Sequence, residues 1–343
     1  MTGRGHGSAA FSLETECVTV DRNAEQILQE LAGLKARDFL TLRDFTPAEI
    51  SALLELAGAL KRERQAGKLR NDLAGKTVAL LFFKPSTRTR VSFEVAAREL
   101  GAWSLYLNAQ EMQLSRGESV EDTARVLSRY VHAIVIRTFA QEQIERFAEW
   151  ASVPVINALT DSYHPAQILA DLLTLKERFG TLKGLRLAYV GDGNNVAHSL
   201  MIGGAKMGME IVISTPPAYR PNSAVAQAAV AIAKETGGAV VYEADPQVAV
   251  KGARAIYTDT WVSMGQETER ERKLRAFSGY QVDARLVAAA SEDAVVMHDL
   301  PAHKDEEIAF DVFEGPRSVI FDQAENRLHA QKALLLALLS GKS

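Results

Sequence analysis

A single cysteine, Cys17, in 343 residues leaves nothing to close an internal disulfide and no material for a cysteine-rich metal cluster. That residue is expected to be inert, and the poverty in cysteine fits a reducing, cytoplasmic setting. No apolar run approaches the ~20 residues needed to cross a bilayer, because Lys, Arg or Asp interrupts every candidate. A membrane role is therefore not expected. A net charge of -4 gives no general attraction to nucleic acid or to an acidic membrane, so any anion site has to be local. H-E-x-x-H, C-x-x-C and paired-carboxylate metal spacings are absent, which argues against metal catalysis. The first twenty residues have no apolar h-region, and Glu14, Glu16 and Asp21 do not suit an acid-poor transit peptide. They read as a tail, followed by a short helix over 24–34 whose Ile27, Leu28, Leu31 and Leu34 share one face.

What the chain does have is alternation. Apolar strands are predicted near Val78–Phe83, Ser104–Leu107, Ala133–Arg137 and Val155–Asn157, with helix-period segments between them. A second series follows at Leu185–Val190, Ile211–Ser214, Val240–Tyr242, Ala255–Tyr257 and Val295–Met297. This pattern predicts an α/β protein of two doubly wound domains with central parallel sheets, and the length suits two domains better than one. The seam falls in Lys176–Leu185, where Gly180 and Gly184 punctuate a polar stretch, and a last helix is predicted over Asn326–Leu339.

Chemistry concentrates where strands end. Residues Lys84 to Arg90, K-P-S-T-R-T-R, lie between a strand and an amphipathic run, so they form a strand-to-helix turn. A helix start offers unpaired N–H groups and a positive dipole end. Ser86, Thr87 and Thr89 add short donors, while Arg88 and Arg90 add a repulsion that a bound phosphate would relieve. A plain Ser/Thr cap followed by solvated arginines is the alternative. His164-Pro-Ala-Gln167 opens a helix and can bond a small polar group, or else serve as a cap with its capping-box partner. Arg137 ends a strand on the edge where open parallel sheets bind ligands. Gly191-Asp-Gly193-Asn194-Asn195 resembles a dinucleotide fingerprint, but Val196 occupies the third glycine position and no acidic residue ends the next strand. Asn195 is better placed to orient a carboxylate or an amine. Asp259 offers a carboxylate to an amine, and Ser263 with nearby backbone could hold an amino-acid head group, although Ser-Met-Gly alone reads as a turn.

Taken together, six ordered blocks resemble the aspartate/ornithine carbamoyltransferase family, and its ornithine branch in particular, from about Arg37 onward. They are F-F-K-P-S-T-R-T-R-V-S-F-E-V, D-T-A-R-V-L-S-R-Y, H-P-A-Q-I-L-A-D-L-L-T, V-G-D-G-N-N-V-A-H-S-L, Y-T-D-T-W-V-S-M-G-Q-E and F-D-Q-A-E-N-R-L-H-A-Q-K-A. The resemblance implies a carbamoyl phosphate-binding domain over 37–180 completed by a C-terminal helix at 322–343 that returns to it, and an ornithine-binding domain over 181–321. Residues 1–36 would form the tail and short helix. It implies a homotrimer with shared active sites, no cofactor, and the conversion of carbamoyl phosphate and L-ornithine to L-citrulline and phosphate in arginine biosynthesis. Transfer to putrescine or an acylated ornithine, or binding without turnover, are the rival functions.

Carried over residue by residue, Ser86, Thr87, Arg88 and Thr89 would hold the phosphate, with Arg137, His164 and Gln167 around the carbamoyl group and Arg327 completing the pocket. Gln113 would reach into a neighbouring subunit's site. Leu300 joins the carbamoyl phosphate set, and Asn195, Asp259, Ser263 and Met264 would hold ornithine. Arg137, His164, Arg327 and Asp299 are the catalytic candidates. Asp299 departs from the family, which carries cysteine at that place in a His-Cys-Leu-Pro block. The reaction needs a neutral δ-amine, whereas a reference alkyl amine has a pKa of ~10.4 and a nearby anion favours the ammonium further. Asp299 is therefore expected to be protonated, or turned away, or to make a slower or differently tuned enzyme.

Overall fold

The computed structural model describes residues 22–262 and 267–340, so Cys17, the amino-terminal tail, Ser263 and Met264 lie outside the described residues. Nine parallel strands form two sheets among them. The first holds β1 (Thr77–Phe82), β2 (Trp103–Asn108), β3 (Ala133–Arg137) and β4 (Val155–Leu159) in the order β2-β1-β3-β4. The second holds β5 (Arg186–Val190), β6 (Glu210–Ser214), β7 (Ala239–Tyr242), β8 (Ala255–Thr258) and β9 (Val295–His298) in the order β7-β6-β5-β8-β9. Every strand falls on a segment that the apolar pattern singles out. Central strands covered by helices on both faces need side chains that are apolar throughout, as in β3 (A-I-V-I-R), which is buried at every residue. The edge strand β2 instead exposes Trp103 and Leu105.

Most of the helices that position the site begin at a side-chain cap. The helices concerned are α1 (Ala24–Glu30), α2 (Pro47–Gln65), α3 (Thr87–Glu99), α4 (Val120–Leu127), α5 (Gln141–Trp150), α6 (Pro165–Phe179) and α7 (Asn195–Lys206). Thr46 and Glu49 form a reciprocal capping box on α2, and Ser119 accepts the Asp122 N–H at the start of α4. The helix expected over 24–34 stops at Glu30 and continues as a 3₁₀ turn through Ala32–Leu34, a stretch containing Gly33, which favours helix poorly. The last helix begins earlier than periodicity suggests, at Ile320, and runs to Leu339.

That C-terminal helix is buried on most sides and packs on α2, α3 and α6, against the first sheet's helices. Its apolar Leu334–Leu339 joins a core that contains both Val78 and Phe82 of the first sheet and Leu187 and Tyr189 of the second. Helix α6 carries the continuity, since it contacts β4, α2, α7 and the C-terminal helix. Among the described residues, no helix is long and apolar enough to cross a membrane.

Strand order locates the crevice. In the first sheet the chain passes from β1 to β2 on one side and then to β3 on the other. In the second, β6 and β7 lie on one side of β5, and β8 and β9 on the other. Ligands of open parallel sheets bind beyond the carboxyl ends of strands at such reversals. The residues there are Lys84 onward after β1, Arg137 ending β3, Gly191 onward after β5, and Asp259 after β8.

Candidate active site

The two reversals face one cavity of about 950 Å³ lined from both sheets. On its first side, the chain leaves β1 and passes Pro85 to Ser86, whose extended backbone makes it the cap of α3 and whose hydroxyl accepts the Thr89 N–H at 3.2 Å. The N–H groups of the first helical residues have no acceptor within the helix, and they stand beside the Thr87 hydroxyl and the exposed Arg88. The alternative of an ordinary cap describes the backbone correctly. It does not account for what surrounds the cap.

Arg137 and Arg327 are both buried and both line the cavity with Arg88. Burial first, and then the neighbouring Arg327 charge, bring the Arg137 guanidinium down to about 10, which still leaves it charged at neutral pH. Burial lowers Arg327 as well, against the nearby Asp171 charge. Among the described residues none of the three arginines forms an ion pair, and the Nε atoms of Arg137 and Arg327 are buried without an acceptor. Arg327 donates to the Gln167 side-chain oxygen and, at 3.1 Å, to the Thr89 hydroxyl. These are neutral partners. Two buried arginines outside any ion pair, beside the exposed Arg88, make a cationic pocket suited to an anion, because burying a charge without a direct partner is costly.

Two expectations need correction here. Arg327 is not near the start of the last helix but two turns inside it, because that helix begins at Ile320. Gln167 is neither a capping-box partner nor part of the cavity wall. It is buried behind the wall, its amide donating to Asp171 at 2.8 Å while its oxygen holds Arg327. His164 does occupy the cap position of α6, but its side chain makes no capping hydrogen bond. Its backbone N–H donates to the Ser199 hydroxyl at 2.8 Å, and its ring lines the cavity with Nδ1 unpartnered. Burial, then the charges of Arg327 and Arg137, hold its pKa well below the ordinary value, so it is a neutral imidazole.

On the second side, Asn194 caps α7 and its amide donates to Asp259 Oδ2 at 2.6 Å, while the Thr260 N–H donates to Asp259 Oδ1 at 2.6 Å. Asn195 lines the cavity, and its amide donates to the Thr160 carbonyl at 2.6 Å. The glycine-rich turn serves the chain itself. Backbone of residues 219–221 crosses directly over Gly193, where a Cβ would meet Pro221 N at 2.3 Å, and the Gly193 N–H donates to the Tyr219 carbonyl at 2.9 Å. The close approach that this glycine permits is thus taken by a crossing segment.

Asp299 is not turned away. It lines the cavity with Leu300, its side chain is 10% exposed, and it stands beside Asp259 with carboxylate oxygens within 4.8 Å. Burial and the Asp259 charge push its carboxyl well above the ordinary value.

Most of the sequence-derived candidates therefore meet around one space: Ser86, Thr87, Arg88, Thr89, Arg137, His164, Asn195, Asp259, Asp299, Leu300 and Arg327. Gln113 does not join them within the chain. It opens an exposed 3₁₀ turn, Gln113–Arg116. Several lining groups escape the sequence reading, among them Lys84, which bonds Asp161 and lies over the Phe139 ring, and Lys273, which donates to Asp192 at 2.6 Å. Lys84 had a signal in its place at the head of the K-P-S-T-R turn. Lys273, far along the chain on a short helix, had none.

Comparison with known proteins agrees with this two-sided layout. The family model described as aspartate/ornithine carbamoyltransferase, carbamoyl-P binding domain, matches residues 37–177, and that of the Asp/Orn binding domain matches residues 183–338. The chain is 53% identical to an ornithine carbamoyltransferase of Symbiobacterium thermophilum over 90% of its own length and 100% of the relative's. It is 54% identical to that of Pyrococcus abyssi, covering 91% and 98% of the two chains. The solved ornithine carbamoyltransferase from Pyrococcus furiosus superposes with a TM-score of 0.88 at 52% identity, covering 90% of this chain and 99% of the other. With both domains matched in order, each around its own strand reversal, the chain belongs to the aspartate/ornithine carbamoyltransferase family.

Proposed function

We propose that this chain is an ornithine carbamoyltransferase, moving the carbamoyl group of carbamoyl phosphate to the δ-amine of L-ornithine and releasing L-citrulline and phosphate. The observation that carries the reading is the meeting of Arg88 at the start of α3 with the buried Arg137 and Arg327, none of them in an ion pair among the described residues, in the same cavity as Asp259. The phosphate sits on the α3 N-terminus among Ser86, Thr87, Arg88 and Thr89, with Arg327 closing over it. The neutral δ-amine attacks the carbamoyl carbon, a C–N bond forms, and the C–O bond to phosphate breaks while the amine's proton leaves toward the phosphate. Negative charge collects on the carbonyl oxygen in between. Arg137, the neutral His164 and the Thr89 hydroxyl are donors for that oxygen, so catalysis is chiefly orientation and charge stabilisation. Leu300 borders the carbamoyl group, and Gln167 acts through Arg327.

Ornithine is held through Asp259 and Asn195, with Ser263 and Met264 supplying the rest of the head-group contacts. Exposed Gln113 is assigned to a neighbouring subunit's site, and the family membership supports a homotrimer as the working unit. The unit around the first sheet, residues 37–180 with the C-terminal helix, binds carbamoyl phosphate, and residues 181–321 bind ornithine. We place the enzyme in the cytoplasm and in arginine biosynthesis. The decisive assay is citrulline formation from carbamoyl phosphate with ornithine, putrescine and an acylated ornithine compared side by side. Preference for either of the latter two overturns the assignment of the acceptor, and binding without turnover overturns the enzyme.

A further inference from the structure

Asp299 and Asp259 share a buried corner of the cavity, yet their surroundings differ. Asp259 has both oxygens engaged by nitrogen donors, Asn194 Nδ2 and Thr260 N–H, each at 2.6 Å. Such bonds favour the carboxylate. Asp299 has no comparable support, since its Oδ1 is buried with no partner. His298 Nδ1 lies 3.7 Å away and already accepts the Leu300 N–H at 2.9 Å, so that nitrogen carries no proton to give. The His298 Nε2 faces Glu307 at 3.1 Å instead. Two carboxylates this close in a poorly solvated corner do not both ionise, and the proton stays on the one that lacks donors.

We propose that Asp299 works as a neutral carboxylic acid, bonded through its proton to Asp259, so that the pair carries one negative charge where the amine reacts. This rests on the reading that ornithine is the acceptor. It removes the conflict that an acidic residue at this position raises, because a neutral acid neither holds the amine as ammonium nor repels carbamoyl phosphate. The charges facing Asp299 from the packed elements are mixed. Asp259 after β8 and Asp171 on α6 favour its proton, Arg327 on the C-terminal helix opposes it, and its own charge acts in turn on Arg137 at the end of β3. Tyr189 on β5 and Tyr257 on β8 are held un-ionised by burial, and His298 and Glu307 complete the surroundings. Burial and the Asp259 charge outweigh Arg327. Loss of the shared proton at alkaline pH would then place a second negative charge beside the amine and lower turnover.

Two measurements test this. The first is the infrared carboxylic-acid C=O band, taken as the difference between the parent enzyme and Asp299→Asn at neutral pH, and followed in the parent alone as pH rises. A band in the parent that is absent from the variant and lost only well above pH 6, where Asp171 is already ionised, is expected; no such band overturns the proposal, and the parent's own titration in that range decides if the variant does not fold. The second is the pH profile of kcat and KM for ornithine in the parent, Asp299→Asn and Asp299→Cys. The alkaline decline of the parent is expected to move up by about one pH unit or more in Asp299→Asn, whose amide stays neutral. Coincident limbs overturn it. So does loss of turnover at every pH in a folded Asp299→Asn, which would make the ionised carboxylate the working form. Failure of the parent to make citrulline would sink the assignment of ornithine while leaving the infrared result to judge Asp299.

Discussion

The two sides of the cavity differ in how they are held. On the phosphate side, groups distant in sequence lock one another: Arg327 binds Gln167 and Thr89, Gln167 binds Asp171, and Asp171 also receives Gln323 Nε2 at 2.8 Å and Tyr257 Oη at 3.0 Å. On the amine side the fixing takes fewer groups. Asp259 is held by its own neighbour Thr260 and by the cap residue Asn194. Recognition of a small, highly charged anion requires cations to be fixed before it arrives, which takes a network with several anchors. An amino-acid head group can be met by a few polar atoms on turns.

The largest test of that contrast is Arg327→Met, which removes the group joining the C-terminal helix to the phosphate turn. Turnover should fall by about 10²–10³-fold, the usual scale for losing one preorganised donor to developing charge. A smaller loss, near that of an exposed contact, would show that the lock is not part of catalysis.

The network should also carry a cost. Burial pushes the Asp171 carboxyl up to about 6, against the hydrogen bonds from Gln167, Gln323 and Tyr257, compared with an ordinary value of 3.8. A carboxyl that is more basic in the folded than in the unfolded state supports the fold most below the unfolded pKa, and that support is lost as pH rises through about 6. The stability difference between Asp171→Asn and the parent should thus shift in favour of the variant between pH ~4 and ~7, by up to ~3 kcal/mol. Denaturant titrations across that range measure it, and a constant difference would mean that Asp171 is not held at a cost.

Arg88 is the least constrained member of the phosphate side. Arg88→Ala should weaken carbamoyl phosphate binding by ~1.5–3 kcal/mol, roughly 10- to 100-fold in KM. An unchanged KM would restrict the anion site to the two buried arginines. The last and smallest effect concerns Gln113, which the chain by itself leaves outside. After reversible dissociation, mixing Arg88→Ala with Gln113→Ala enzyme should restore partial activity through sites that combine one intact contribution from each. No rise above the parent variants, with subunit exchange verified, would remove the neighbour from the site.

The contrast also explains what could be read from the amino-acid order. Strands and the phosphate turn were legible, because apolar alternation and K-P-S-T-R-T-R are local patterns that the backbone must obey. The place of Gln167 was not. A helix-start glutamine reads as a capping partner, and its engagement instead by Asp171 one turn on and by Arg327 from a distant helix is not visible in the local pattern. The start of that helix was misread for a related reason. Its first turn contains Phe321 and Asp322, which carry no cap signal, and Val319 provides no side-chain bond to mark the boundary. Asp299 was recognisable as a departure, but its state depended on the donors at Asp259 and their absence around its own Oδ1.

The C-terminal helix has one more consequence, for the order in which the protein is made. Its leucines 334–336 and 338–339 fill the core against α2, α3 and α6, built from residues made far earlier. Chains emerge amino-terminal end first, and segments awaiting partners leave apolar surface exposed. The first sheet's helices must therefore remain incompletely covered while the whole second sheet is synthesised, and they close only when the stretch up to Leu339 leaves the ribosome.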